Sequence, residues 1–263
     1  MRTVRSDGEA VVIEHRGGIL RADLVVGADG LRSELRRQWW PSAKGPRCAG
    51  YTGWRMIAEP LVELRTEATV AWDRGERFGF TSLPGGRFYC FAAATTPADG
   101  ASADGELAAV RRRFAGWPDP IPALLAAVPE YGVLRHDVYD LLALSTYVRG
   151  RMVPLWDAAH AMDPILGQGA CQALEDAVTL AACLDATLNV GAALALHDLL
   201  RRPRTQAIVR RSARLGAVGQ WSWPPAVLIR VLAARLTPAA ATLRNMAPVL
   251  DWTPPVPTER AWR

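Results

Sequence analysis

The most constraining stretch of this chain is Val153–Ala177, VPLWDAAHAMDPILGQGACQALEDA. A short apolar run ends at an acid, Asp157, and Pro164 stands in the loop that follows. Gly167-Gln168-Gly169 then opens a run of helical character, in which Leu174, Ala177, Val178, Ala181 and Leu184 recur at the spacing of one helix face. A carboxylate at the C-terminal end of a parallel strand points into the crevice where α/β folds bind ligands. Asp157 placed there can accept hydrogen bonds from a sugar hydroxyl, orient a water beside a phosphate, or cap the next turn. Glycines at a helix start let a ligand approach the backbone, and a helix N-terminus presents unpaired N–H groups that suit an anionic or carbonyl-rich edge. Pro164 fixes the approach of the loop. Taken alone, Gly167-Gln168-Gly169 reads as a plain glycine turn. Strand, acid, proline, glycine pair and helix in this order argue for a ligand site.

A second buried-type strand lies far upstream. Asp23 leads into Leu24-Val25-Val26-Gly27-Ala28, which ends at the turn pair Asp29-Gly30; Leu31 to Trp39 then has helical character, with a cap supplied near Asp29. Ahead of it, Ala10 to His15 and Gly18 to Ala22 alternate around a turn at Arg16-Gly17. Between the two buried-type strands, short β-rich runs dominate: Tyr51 to Ala58, Ala68 to Trp72, Arg77 to Leu83 and Arg87 to Ala94, with one helix near Gly105 to Ala115. The chain from Ala192 to Arg214 and from Ala226 to Met246 reads as helix, and Trp252 to Pro257 as an irregular tail. Parallel-sheet pieces thus flank an antiparallel insert. The strands at Asp23–Ala28 and Arg151–Leu155 are expected to be neighbours in one sheet.

Composition narrows the function classes. The formal charge is +5, carried almost wholly by arginine with Lys44 the single lysine. The arginines are scattered at helical spacing rather than gathered into a block, which argues against a nucleic-acid partner. The four cysteines form no C-x-x-C pair and no zinc-ligand spacing with histidine, so no metal is expected and the thiols read as reduced, in a cytoplasmic protein. The apolar run Pro225–Leu236 is broken by Arg230 and Arg235 and is too short to span a bilayer; it reads as an amphipathic helix.

The two acid-bearing segments resemble the motifs of the FAD-dependent aromatic-type monooxygenases with the p-hydroxybenzoate hydroxylase fold. Gly150-Arg151-Met152-Val153-Pro154-Leu155-Trp156-Asp157-Ala158-Ala159-His160, Pro164, Gly167-Gln168-Gly169, Glu175-Asp176-Ala177 and Leu180 follow the family's second flavin motif. Asp23 to Arg36 follows its D-G motif, and the likeness extends through Tyr51-Thr52-Gly53-Trp54-Arg55 to Arg202-Pro203-Arg204. The resemblance implies an α/β fold: a partial FAD-binding parallel-sheet domain (1–46 and 136–200), an inserted antiparallel β-rich substrate domain (47–135), and C-terminal helices with an irregular tail (201–263). It implies that Asp157 binds the ribityl and pyrophosphate region of FAD, and that Gly167 to Ala170, after Pro164, line the flavin's pyrimidine edge. Asp29 and Gly30 match a motif implicated in FAD and NAD(P)H binding. The implied reaction is hydroxylation or epoxidation of a small aromatic or polycyclic substrate with NAD(P)H and O2. The insert's sheet would floor the substrate pocket, with Trp54, Arg55, Phe80, Phe88 and Tyr89 as candidates to line it.

Two departures qualify this. The family opens with a βαβ unit bearing G-x-G-x-x-G, and these 263 residues contain no such motif. Trp156 stands at the glycine of the family's Gly-Asp pair, and Asp163 and Ile165 replace polar or small residues. Weak FAD binding and impaired activity are therefore expected of these residues, as is self-association through an uncovered sheet edge. The alternative is a flavin-free descendant using the old pocket for cyclisation, isomerisation or ligand binding. His160 reads as a packed histidine beside the flavin loop rather than an acid–base group.

Overall fold

The computed structural model describes residues 3–7, 10–59 and 68–255. In chain order, β1 (Thr3–Asp7), β2 (Ala10–His15), β3 (Gly18–Ala22) and β4 (Val25–Gly27) precede α1 (Glu34–Trp39). Four strands follow, β5 (Arg47–Ala58), β6 (Thr69–Asp73), β7 (Glu76–Ser82) and β8 (Phe88–Ala94), then α2 (Glu106–Phe114), α3 (Ile121–Ala126) and β9 (Val133–Asp140). The chain continues through β10 (Met152–Pro154), α4 (Asp157–His160), a 3-10 turn at Pro164–Leu166, α5 (Gly169–Ala186), α6 (Val190–Gly219), α7 (Pro224–Leu236) and α8 (Ala239–Leu250). It divides into two compact units: Met1–Arg47, Tyr139–Leu215 and Pro238–Arg263 form the first, and Cys48–Val138 with Gly216–Thr237 the second.

In the first unit, β4 and β10 pair in parallel with Val26 opposite Val153, as expected from their buried, acid-terminated pattern. The Leu155 N–H extends the ladder to the Gly27 carbonyl at 2.9 Å. Gly27 is glycine because a Cβ there would collide with the Leu35 side chain, so α1 packs directly on the strand. Val4, Val11, Val25, Leu35 and Met152 form one small core. Val153, Leu155, Leu180 and Leu194 form another beneath α5 and α6. β1, β2 and β3 make a separate antiparallel sheet.

Helix α5 corrects the expected apolar face. Leu174 and Val178 point to solvent, and the buried positions are Gln172, Glu175, Asp176, Thr179, Leu180 and Cys183. A polar face can be buried because its groups are paired there with arginines of α6.

In the second unit, a five-stranded sheet runs in the order β6-β7-β8-β5-β9. Its antiparallel ladders send Trp54, Met56, Phe78, Phe80, Phe88 and Cys90 to one face, where they form a single core with apolar residues of α2 and α3. The helix expected over Ala226–Met246 is two helices, α7 and α8, parted at Thr237-Pro238. Pro238 cannot donate to the helical ladder and disfavours the helical conformation of the residue before it.

Candidate functional site

Because β4 and β10 run in parallel, the turns that follow them emerge at the same end of the sheet. Asp29-Gly30 follows one strand and Trp156-Asp157 the other. Asp29 Oδ2 accepts hydrogen bonds from the N–H groups of Glu34 (2.8 Å) and Leu35 (3.2 Å), so it caps α1 together with Ser33, whose hydroxyl accepts from Arg36 N–H. Gly30 has φ 78° and open space where a Cβ would stand. A groove of about 370 Å3 runs beside β4, lined by Val25, Val26, Asp29, Arg32, Glu34 and Leu35.

Asp157 opens the short helix α4. No described residue donates a hydrogen bond to its carboxylate, and burial pushes that carboxyl above its ordinary range against the opposing pull of His160. Arg36, buried, donates to the carbonyls of Ala159 and Leu142, both at 3.0 Å, and so fixes α4 from behind. Trp156 has φ 54° and ψ −135°, a backbone state suited to glycine. It is held there at both ends: its N–H donates to Asp176 Oδ2 at 3.0 Å, and its carbonyl accepts from Ala159 and His160. The indole is 40% exposed.

The loop after α4 carries Pro164 in the 3-10 turn, where Asp163 Oδ1 accepts from Ile165 N–H at 2.9 Å. Gly167 follows at φ 65°; Gly167 and Gly169 both face open space where a Cβ would lie. Gln168, Gly169 and Ala170 enter α5, whose N-terminus has no side-chain cap. Its first N–H groups are therefore available to a ligand.

Behind these loops lies a buried ionic network. Asp176 accepts from His160 Nε2 (2.7 Å) and Arg201 Nε (2.8 Å), and Glu175 accepts from Arg201 and, bidentately, from Arg204 (2.7 and 2.9 Å). Burial would raise both carboxyls, but the hydrogen bonds and charges of His160 and Arg201 hold Asp176 below its ordinary range, and those of Arg204 and Arg201 do the same for Glu175. His160 is thus a positioning residue whose ring anchors the carboxylate that holds the Trp156 backbone. Arg36, Gln172 and Arg201 are functional supports that sequence reasoning missed. Arg36 lies within the quoted D-G segment, but its partners are distant in sequence.

The substrate-pocket candidates divide between the two faces of the second unit's sheet. Phe80 and Phe88 are buried under α2 and α3, so the expectation that they line an open pocket is revised: the pleat sends them into the core. Trp54 shares that face; its indole donates to Glu106 Oε2 at 2.7 Å beside a cavity of about 430 Å3 that Arg112 and Arg135 also line. Arg55 and Tyr89 stand on the opposite face, with Arg55 Nη1 donating to the Tyr89 hydroxyl at 3.4 Å. Among the described residues no cluster of side chains could hold a metal ion.

Comparisons with known proteins agree with this geometry. A family model described as FAD binding domain matches residues 3–212. The aurachin C monooxygenase/isomerase of Stigmatella aurantiaca is 39% identical over 88% of this chain and 61% of its own length. The 2-heptyl-3-hydroxy-4(1H)-quinolone synthase of Pseudomonas aeruginosa is 35% identical over 90% of this chain and 62% of its own length. The crystal structure of Klebsiella pneumoniae HpxO with FAD and uric acid superposes with a TM-score of 0.86 at 29% identity, covering 93% of this chain and 64% of that one. The chain therefore spans about three fifths of the length of these relatives.

Proposed function

Because this chain belongs to the FAD binding domain family of FAD-dependent aromatic hydroxylases, we propose that the whole protein is a flavin monooxygenase that oxygenates a flat, fused-ring organic molecule with NAD(P)H and O2. What supports this reading is the succession of an unpaired carboxylate at Asp157 just after β10, the Gly167–Gly169 turn and the uncapped start of α5, with α5 tied to the turn after β10 by the Trp156 N–H to Asp176 hydrogen bond. When bound, FAD supplies the electron transfer from NAD(P)H to O2 and the delivery of one oxygen atom to the substrate. Asp157 accepts hydrogen bonds from hydroxyls of the ribityl chain. The N–H groups from Gly167 to Ala170 receive the carbonyl-rich edge of the ring system and favour negative charge there. Pro164 and Gln168 hold that loop, Gln168 through its contact with Gln172 at 3.2 Å. Asp29 and Gly30 border the groove beside β4, on the dinucleotide side.

The sheet face bearing Arg55 and Tyr89 is the substrate surface in this reading. Trp54, Phe80 and Phe88 support it from the packed side. The substrate class follows the quinolone and the uric acid named for the relatives, which are flat fused heterocycles. NAD(P)H and a cytoplasmic location belong to the same proposal; no described helix is by itself long and apolar enough to cross a membrane.

Titration of FAD into the full chain, followed by flavin fluorescence, tests the assignment. Saturable binding of FAD is the expected result. Asp157→Ala should weaken it by about tenfold or more, the loss of a hydrogen bond to a charged group. Equal affinity in the variant would remove Asp157 from the site.

A further inference from the structure

Helix α7 is inverted for a helix at a water-facing surface. Its one buried residue is a charge, Arg230, whose guanidinium donates to the carbonyls of Asp73 (2.8 Å), Gly219 (3.1 Å) and Val218 (3.2 Å) and lies 5.4 Å from the Trp72 ring centre. The opposite side carries Leu228, Leu232 and Leu236 in one row, four residues apart, at 58%, 46% and 78% exposure. Ile229 borders the row and Trp223 stands exposed just ahead of the helix. Single exposed leucines are ordinary, but a contiguous row on a helix fastened by a buried arginine marks an interaction surface.

The charge pattern says what covers it. From Trp221 to Leu250 there is no aspartate or glutamate, whereas Arg235 is exposed in the last turn of α7 and Arg244 is exposed in α8. A second copy of this segment would bring arginine to arginine with no carboxylate to answer it. An anionic lipid leaflet answers both features: the leucine row enters the acyl boundary, Trp223 sits at head-group depth, and Arg235 reaches the phosphates. We propose that α7, with Trp223 ahead of it, docks the protein on the surface of an anionic membrane, lying in the interface rather than crossing it. This site is separate from the flavin assignment and stands or falls without it.

The test is sedimentation of the full chain with vesicles of phosphatidylcholine, with and without phosphatidylglycerol. Binding to the phosphatidylglycerol vesicles is expected, with the paired variant Leu228→Glu/Leu232→Glu at least about tenfold weaker. Arg235→Gln should weaken binding about fivefold on anionic vesicles and leave any binding to phosphatidylcholine unchanged. All three side chains are exposed, so the variants should melt like the native chain, which separates lost docking from lost folding. Binding that survives the paired variant would overturn the proposal, as would absence of binding to either vesicle. A dimer that Leu232→Glu dissociates, without vesicle binding, would assign the row to a second copy and overturn it equally.

Discussion

Trp156 offers a sharp test of the reasoning, because its backbone and its side chain make opposite demands. At φ 54° and ψ −135° an L-residue is strained, at about 1–3 kcal/mol. The strain persists because the Asp176 carboxylate holds the N–H while Ala159 and His160 hold the carbonyl. Replacing the indole changes two things at once, since about 25 cal/mol per Å2 of buried apolar surface is lost along with the strain. Comparing Trp156→Gly with Trp156→Ala removes that ambiguity, as both delete the same ring. At an ordinary site alanine is the more stable of the two by about 0.4–1 kcal/mol, because glycine leaves the unfolded chain more freedom. Here the order should invert, with glycine ahead by about 1–2 kcal/mol. For a chain of this size that is roughly 3–6 °C in Tm. Thermal unfolding of both variants by circular dichroism, in one buffer, reads the difference. Alanine equal to or above glycine would show that the backbone at 156 is not held in this state, and would refute the argument that the position is built for glycine.

Arg201→Met should destabilise the fold by up to about 3–5 kcal/mol in denaturant unfolding, because it removes the buried charge that Asp176 and Glu175 share and leaves them only His160 and Arg204; adding Asp176→Asn should recover part of the loss, and simple additivity of the two would argue against a network. Both of these carboxyls lie below their ordinary range when folded, so the stability they confer is present above about pH 4–5 and lost as the pH falls toward their folded values; Asp176→Asn should flatten the acid limb of Tm against pH. Asp157 has the opposite sign: burial raises its carboxyl, so its charged form opposes folding, and Asp157→Asn should raise Tm at pH 7 while leaving it unchanged well below the carboxylate range. Trp156→Gly should tighten FAD binding in the fluorescence titration, because it clears the approach beside Asp157; unchanged affinity would show that the 40% exposed indole does not obstruct that approach.

The sequence by itself determined the local grammar of this protein. A buried-type strand ending in an acid, a proline loop and a glycine pair before a helix are short-range features, and the strands at Val25–Gly27 and Met152–Pro154 pair as their pattern requires. Glycine at 27 and the cap at Asp29 follow from the same few residues. Tertiary structure alone decided which faces were covered. The spacing of α5 offers an apolar stripe through Leu174 and Val178, yet the fold buries Gln172, Glu175 and Asp176 instead. That choice becomes favourable only once α6 brings Arg201 and Arg204 alongside, a pairing that helical periodicity does not encode. Likewise, alternation divides Phe80 and Phe88 from Arg55 and Tyr89 but does not say which face receives α2 and α3. Periodicity is a property of one segment, whereas burial is a property of two, and the second partner is found only when distant parts of the chain meet.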